Sequence, residues 1–170
     1  MPESRPAGPT ADAILDDTLS NQTTALTLGT ALPRLANKTL TFTGASGLGL
    51  HGTASTIFTV TGFIYIEAIA VRCTTSLTGA NATLTFGVVG ATTLFIGTTT
   101  ATSITTSAEL WIDATPAETV GVALPAGFKG ILVNAANVII SSTHASADVA
   151  SGVLEIDMVW RPLTSTATVV

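Results

Sequence analysis

Residues 152–161, GVLEIDMVWR, decide the fold class. Leu154, Ile156, Met158 and Trp160 alternate with Glu155, Asp157 and Arg161, the period of two that sets one face of a strand on a core and the other in water. Residues 82–89, ATLTFGVV, alternate likewise, with Leu84, Phe86 and Val88 opposite Thr83 and Thr85. Residues 63–73, FIYIEAIAVRC, are apolar on both faces apart from Glu67 and Arg72, as in a central strand or one at an interface. Further short runs at 38–43, 55–61, 92–97, 109–113, 118–123, 128–133 and 137–143 are separated by turn residues. Many short strands with no strong helical pattern after residue 19 predict an all-β protein. The expected architecture is a jelly-roll-like antiparallel β-sandwich of about 8–10 strands. No fixed repeat period argues for a solenoid or propeller.

Upstream of these runs the pattern changes. Residues 1–9 carry three prolines and no apolar period. Thr10 is placed to cap a short helix through Ala11–Leu19, with Asp12 near its positive end and Ile14, Leu15, Thr18 and Leu19 on one side. Residues 20–37 mix Leu26, Leu28, Leu32 and Leu35 with the turn formers Gly29 and Pro33. The reading is an extended N-terminal arm over 1–37 carrying a short helix, a sandwich domain over 38–163, and a C-terminal tail over 164–170. The arm lies on its own domain or a neighbour, since so short a helix is marginal unless packed.

Composition narrows the function. The chain has 170 residues and a mean hydropathy of +0.57, but only 10% of its residues are charged, against about 25% in ordinary domains. No apolar run reaches the roughly 18 residues of a membrane helix, and the first residues lack the basic start and apolar core of a secretory signal. Net charge is −5, with six scattered cations (Arg5, Arg34, Lys38, Arg72, Lys129 and Arg161). That excludes counterion-release binding of nucleic acid as a main activity. Threonine supplies 32 residues, so the wet faces must be hydroxyl- and amide-rich rather than ionic. Such surfaces repel copies of themselves weakly, which points to a homo-oligomer or assembly subunit. The single cysteine, Cys73, excludes an intrachain disulfide and reads as a small buried thiol.

Several stretches imitate chemical motifs. Gly47-Leu-Gly49-Leu-His51-Gly52 is a formal GxGxxG after a strand, but β-branched, strand-like sequence follows where a dinucleotide site needs a helix. It reads as a glycine loop. His51 and His144, the only histidines, have no metal-ligand spacing. Ser141, Ser142, His144 and Asp148 bring triad residue types together without a nucleophile elbow and read as a hairpin loop. Glu155 and Asp157 sit two apart on one strand face, yet aromatic residues, the usual sugar platforms, are 5% of the chain. No catalytic, cofactor-binding or metal site is expected. The candidate interface residues are Ile14, Leu15, Leu19, Leu26 and Leu28 of the arm, and Trp111, whose ring is expected to face a partner.

Residues 127–163, GFKGILVNAANVIISSTHASADVASGVLEIDMVWRPL, resemble the C-terminal half of small β-sandwich structural proteins of tailed bacteriophages. The shared style is a strand ending in polar residues, a short Ala/Asp/Gly loop, and a long strand closing on aromatic-Arg-Pro-Leu, here Trp160, Arg161, Pro162 and Leu163. Residues 81–97, NATLTFGVVGATTLFIG, are similar to the same class. The resemblance implies a capsid decoration (cement) protein: a jelly-roll trimer on the outer surface of the virion that locks neighbouring major capsid subunits. Its alternative is a head-fibre or tail-associated module that binds a host receptor.

Overall fold

A computed structural model of the chain describes residues 32–44, 47–117, 130–142 and 147–170. Among these residues the strands are β1 (Arg34–Phe42), β2 (Ala54–Phe58), β3 (Val60–Thr61), β4 (Phe63–Thr78), β5 (Thr83–Val88), β6 (Ala91–Thr100), β7 (Ile131–Asn134), β8 (Val138–Ser142), β9 (Ser151–Pro162) and β10 (Thr168–Val169). A 3-10 turn, Ala101–Ser103, follows β6.

Two four-stranded antiparallel sheets form, one ordered β1-β9-β4-β7 and the other β2-β8-β5-β6, with a small β3–β10 ladder beside them. The protein is an all-β antiparallel sandwich. Leaving β3 and β10 aside, the first long strand pairs with the last, the second with the next to last, and so on inward to the β5–β6 hairpin. This nesting is how an antiparallel ribbon pairs when folded over on itself, the pattern expected of a jelly roll.

The core follows from the alternation in the sequence. On β9, Leu154, Ile156, Met158 and Trp160 point inward, opposite Leu84, Phe86 and Val88 of β5 and Val138 and Ile140 of β8, all buried. The longest strand, β4, has 16 residues and shows three register shifts against the 12 of β9. Such shifts place extra residues on one strand, which bends and coils the sheet around the core. At the first shift the extra residue is Glu67, between the pairs Ile66–Trp160 and Ala68–Val159.

Several boundaries differ from expectation. The first strand begins at Arg34 rather than 38, because Arg34–Asn37 continue the ladder onto Trp160–Asp157. Residues 55–61 are split at Thr59, which exchanges backbone hydrogen bonds with Val170. Within the C-terminal 164–170 stretch, Thr168 and Val169 pair with Thr61 and Val60, and Ala167 is buried. Residues 109–113 make isolated bridges rather than a strand: Leu110 bridges Arg72 and Ala117. Cys73 N–H donates to the Glu109 carbonyl (2.7 Å) and Trp111 N–H to that of Val71 (3.0 Å), so this segment lines the edge of β4 beyond the reach of β7. Expected run 118–123 lies outside the described residues.

Candidate association surface

The residues expected to meet partners separate into two groups. Ile14, Leu15, Leu19, Leu26 and Leu28 lie outside the described residues. Trp111 corrects the expectation: it is 0% exposed and faces its own core. Its indole Nε1 donates to Thr99 Oγ1 (3.0 Å), and its ring centroid lies 6.2 Å from that of Phe86. Alternation within 109–113 misled because the segment bridges a sheet edge, where Trp111 and Ile112 are both buried.

The outer face of the β1-β9-β4-β7 sheet is the more informative surface. Glu155 on β9 sits opposite Arg72 on β4 and forms an ion pair with it. Glu67 pairs with Arg161, which the bulge allows, since the extra residue turns its carboxylate toward the neighbouring strand. On the inner side of the same sheet, at its end, the guanidinium of Arg34 lies over the Trp160 ring, 5.3 Å from its centroid. These half-exposed pairs add little stability, but as cross-strand contacts they help fix register. Glu155 and Asp157 lie with Asn37, Lys38 and Thr39 around a shallow depression, where Asn37 is opposite Asp157 and Thr39 opposite Glu155.

Beyond Asp157 the same face carries apolar side chains around the Arg161–Glu67 ion pair. In successive register, Leu35 lies against Val159 and Val159 against Ala68, while Arg161 lies against Tyr65 and Tyr65 against Leu132. Leu35 is 63% and Leu132 59% exposed. These two large aliphatic side chains stand open to water on the two edge strands of the sheet.

At the opposite end of β1, the glycine-rich loop is a run of turns leading into β2, with no helix to receive a phosphate. Gly49 adopts φ +84°, and a Cβ there would meet the Phe42 ring at 2.6 Å. Among the described residues His51 joins no set of three metal-ligating side chains. Its backbone N–H donates to Asp148 Oδ1 (2.8 Å), and its Nδ1 lies 2.7 Å from the same oxygen. These bonds, the backbone amide first, hold the Asp148 carboxyl below its ordinary range. Asp148 thus ties the β1–β2 loop to the segment entering β9, a contact between residues 97 apart that no local pattern announces. His144 lies outside the described residues. Burial pushes the Cys73 thiol upward, away from thiolate reactivity. Among the described residues there is no cluster of three or more metal-ligating side chains, and no helix is long and apolar enough to cross a membrane.

No protein-family model matches the sequence, and no curated protein matches it. Among solved structures, the chain is similar to one in the capsid asymmetric unit of cyanophage Pam1. The identity is 16%, with 77% of this chain and 85% of that chain covered and a TM-score of 0.47.

Proposed function

We propose that this protein is a virion structural subunit of the decoration, or cement, type. In this reading it is a homotrimer on the outer surface of a phage capsid, bound across neighbouring major capsid subunits. It performs no covalent chemistry and needs no cofactor. Binding energy that exists only when the subunits are assembled stabilises the shell by mass action, as any ligand of a native state stabilises that state.

The observation that carries the reading is a rigid sandwich whose surface offers little charge to keep copies apart. Arg72, Arg161 and His51 are matched to Glu155, Glu67 and Asp148 within the chain. The exposed positions of β6 are mainly threonines, Thr92, Thr93, Thr98 and Thr100, and those of β4 include Thr74, Thr75 and Thr78. The stretches that resemble phage structural proteins fall on the β5–β6 hairpin and on β7 to β9, both integral to the sandwich.

The test is light scattering of the full-length protein, followed by co-sedimentation with capsid shells that lack it. A stable species near three chains and saturable sedimentation are expected. A monomer that stays in the supernatant overturns the reading and turns attention to receptor binding. Deleting residues 1–30 is expected to weaken shell attachment while the circular dichroism of the sandwich persists. Undiminished decoration by that variant removes the arm from the mechanism.

A further inference from the structure

We infer that copies of this chain associate through one end of the sandwich, the end at which β1 and β4 begin and β5 and β9 finish. The partner is a second copy of the chain. From the decoration reading this takes only that copies associate, and it needs no capsid.

The two ends of the sandwich differ in what they show to water. Leu32 and Leu35 stand before and within the start of β1, Leu132 lies on β7, Leu163 follows β9, and Val89 and Leu94 belong to the turn and early β6 of the β5–β6 hairpin. All six are exposed. The pairs Phe63–Asn134, Ile64–Pro162 and Val88–Ala91 close the strands at this end, and Val89 N–H donates to the Asn137 carbonyl (3.0 Å). At the other end Thr78, Asn81, Thr102 and Ser151 are exposed, and no large hydrophobic side chain is exposed there among the described residues. Six open aliphatic side chains amount to several hundred Å², on the order of half of the about 800 Å² that one partner gives to a standard interface.

Charge selects the occupant. Net charge is −5, so copies repel where carboxylates stand free. Glu109 and Asp157, both exposed, lie farther along the sheet, and Asp148 is at the other end. Near the apolar end Arg161 is paired with Glu67, and Arg34 rests on the Trp160 ring. The ion pair sits between Leu35 and Leu132, so the surface is aliphatic side chains around matched charges, the mixture found in protein interfaces. It offers little net charge to recruit a polyanion or a basic peptide, and it fits a surface as neutral as itself.

The sheet edges are poorer routes to association. Arg34 and Lys38 point to the inner side of edge strand β1, opposite Trp160 and Ile156, a placement that hinders addition of another strand. Strands β2 and β7 are only five and four residues long, and β6 breaks register twice against β5. The apolar end is also held in shape before binding. Asn137 accepts Val89 N–H with its carbonyl and Val60 N–H with its Oδ1 (3.1 Å), tying the hairpin tip to β3, which lowers the ordering cost of association.

The experiment compares the full chain by light scattering as wild type, as Val89→Glu/Leu132→Glu and as Thr102→Glu, which adds charge at the other end. Circular dichroism checks the fold of each. The wild type and Thr102→Glu are expected as oligomers of equal mass, and the double variant as single chains, since a carboxylate pressed against an apolar copy is costly. A double variant that keeps the wild-type mass, equal dissociation of Thr102→Glu, or a monomeric wild type overturns the inference. In the first two cases an oligomeric decoration protein still stands. Dissociation confined to the double variant, with a wild type that does not sediment with capsid shells, removes the decoration reading and leaves this inference standing. Hydrogen exchange of the wild type at rising concentration covers a double variant that fails to fold. Amides of 88–91 and 131–138 should gain protection as the mass rises, and those of 79–82 and 101–103 should not. Unchanged protection, or full protection already at the lowest concentration, overturns the inference.

Discussion

Trp111→Phe separates a core role from an interface role, because the two predict changes in different observables. The substitution removes the Nε1–H donor to Thr99, a bond worth about 0.5–1.5 kcal/mol net. It also removes roughly 40 Å³ from a fully buried site, which at about 24 cal/mol per Å³ of residual cavity adds about 1 kcal/mol. Thr99 is not orphaned, since its hydroxyl still donates to the Gly97 carbonyl at 3.1 Å. The expected loss is therefore about 2 kcal/mol, or a fall in Tm of about 4–8 °C for a domain of this size. Trp111→Ala should cost more, about 3–5 kcal/mol. Thr99→Val leaves the indole N–H without its acceptor in a buried place, so it should cost about 1–3 kcal/mol in the wild type and less beside Trp111→Phe. The assay is urea unfolding followed by far-ultraviolet circular dichroism at fixed protein concentration, with light scattering in parallel. An unchanged unfolding midpoint together with a changed oligomeric mass would refute the burial reasoning and return Trp111 to a partner surface.

Two other perturbations test particular contacts. A Cβ at Gly87 would overlap the Ala91 carbonyl oxygen and lie 2.5 Å from the Thr92 carbonyl carbon, both backbone atoms, so Gly87→Ala must displace the β5–β6 hairpin. The expected cost is about 1–3 kcal/mol, read from the urea midpoint, and a midpoint equal to wild type contradicts the close approach. Asp148 has a folded-state pKa depressed chiefly by the His51 amide, so its contribution is present above its unfolded value and is lost as pH falls toward the folded one. Stability measured from neutral pH down through the carboxylate range should decline more steeply in the wild type than in Asp148→Asn, and parallel curves dismiss the contact.

How far the fold could be read from the sequence depended on whether a strand's partners were implied by its own pattern. Strand β9 was legible almost to the residue, because Leu154 to Trp160 alternate against charged neighbours and one face is buried. The end of β4, Thr74–Thr78, carries almost no apolar signal and lies beyond the expected strand at 63–73. It is a strand because Val153 and Ser151 pair with it on one side and Leu77 N–H donates to the Ile104 carbonyl on the other. Likewise Thr98–Thr100 extend β6 although their sequence is uniform threonine. Tertiary pairing overrides weak local preference there. The association surface was half legible. The low charge was visible at once, but the outer-face neighbours of Leu35 and Leu132 come from four strands distant in sequence, and only the register identifies them.

The pairing of first strand with last also sets the order in which the molecule can be made. Residues 34–42 must wait for 152–160 before either has its partner, and closing so long a loop is entropically slow. During synthesis the ribosome presents β1, with its alternating Leu40 and Phe42, well before β9 emerges. Among the described strands, the β5–β6 hairpin, the innermost pair, is the one that can close locally. The chain thus passes through a period in which β-prone, weakly charged segments are unpaired, when aggregation competes with folding. Yield on overexpression should therefore respond to temperature and synthesis rate more than to the stability of the finished sandwich.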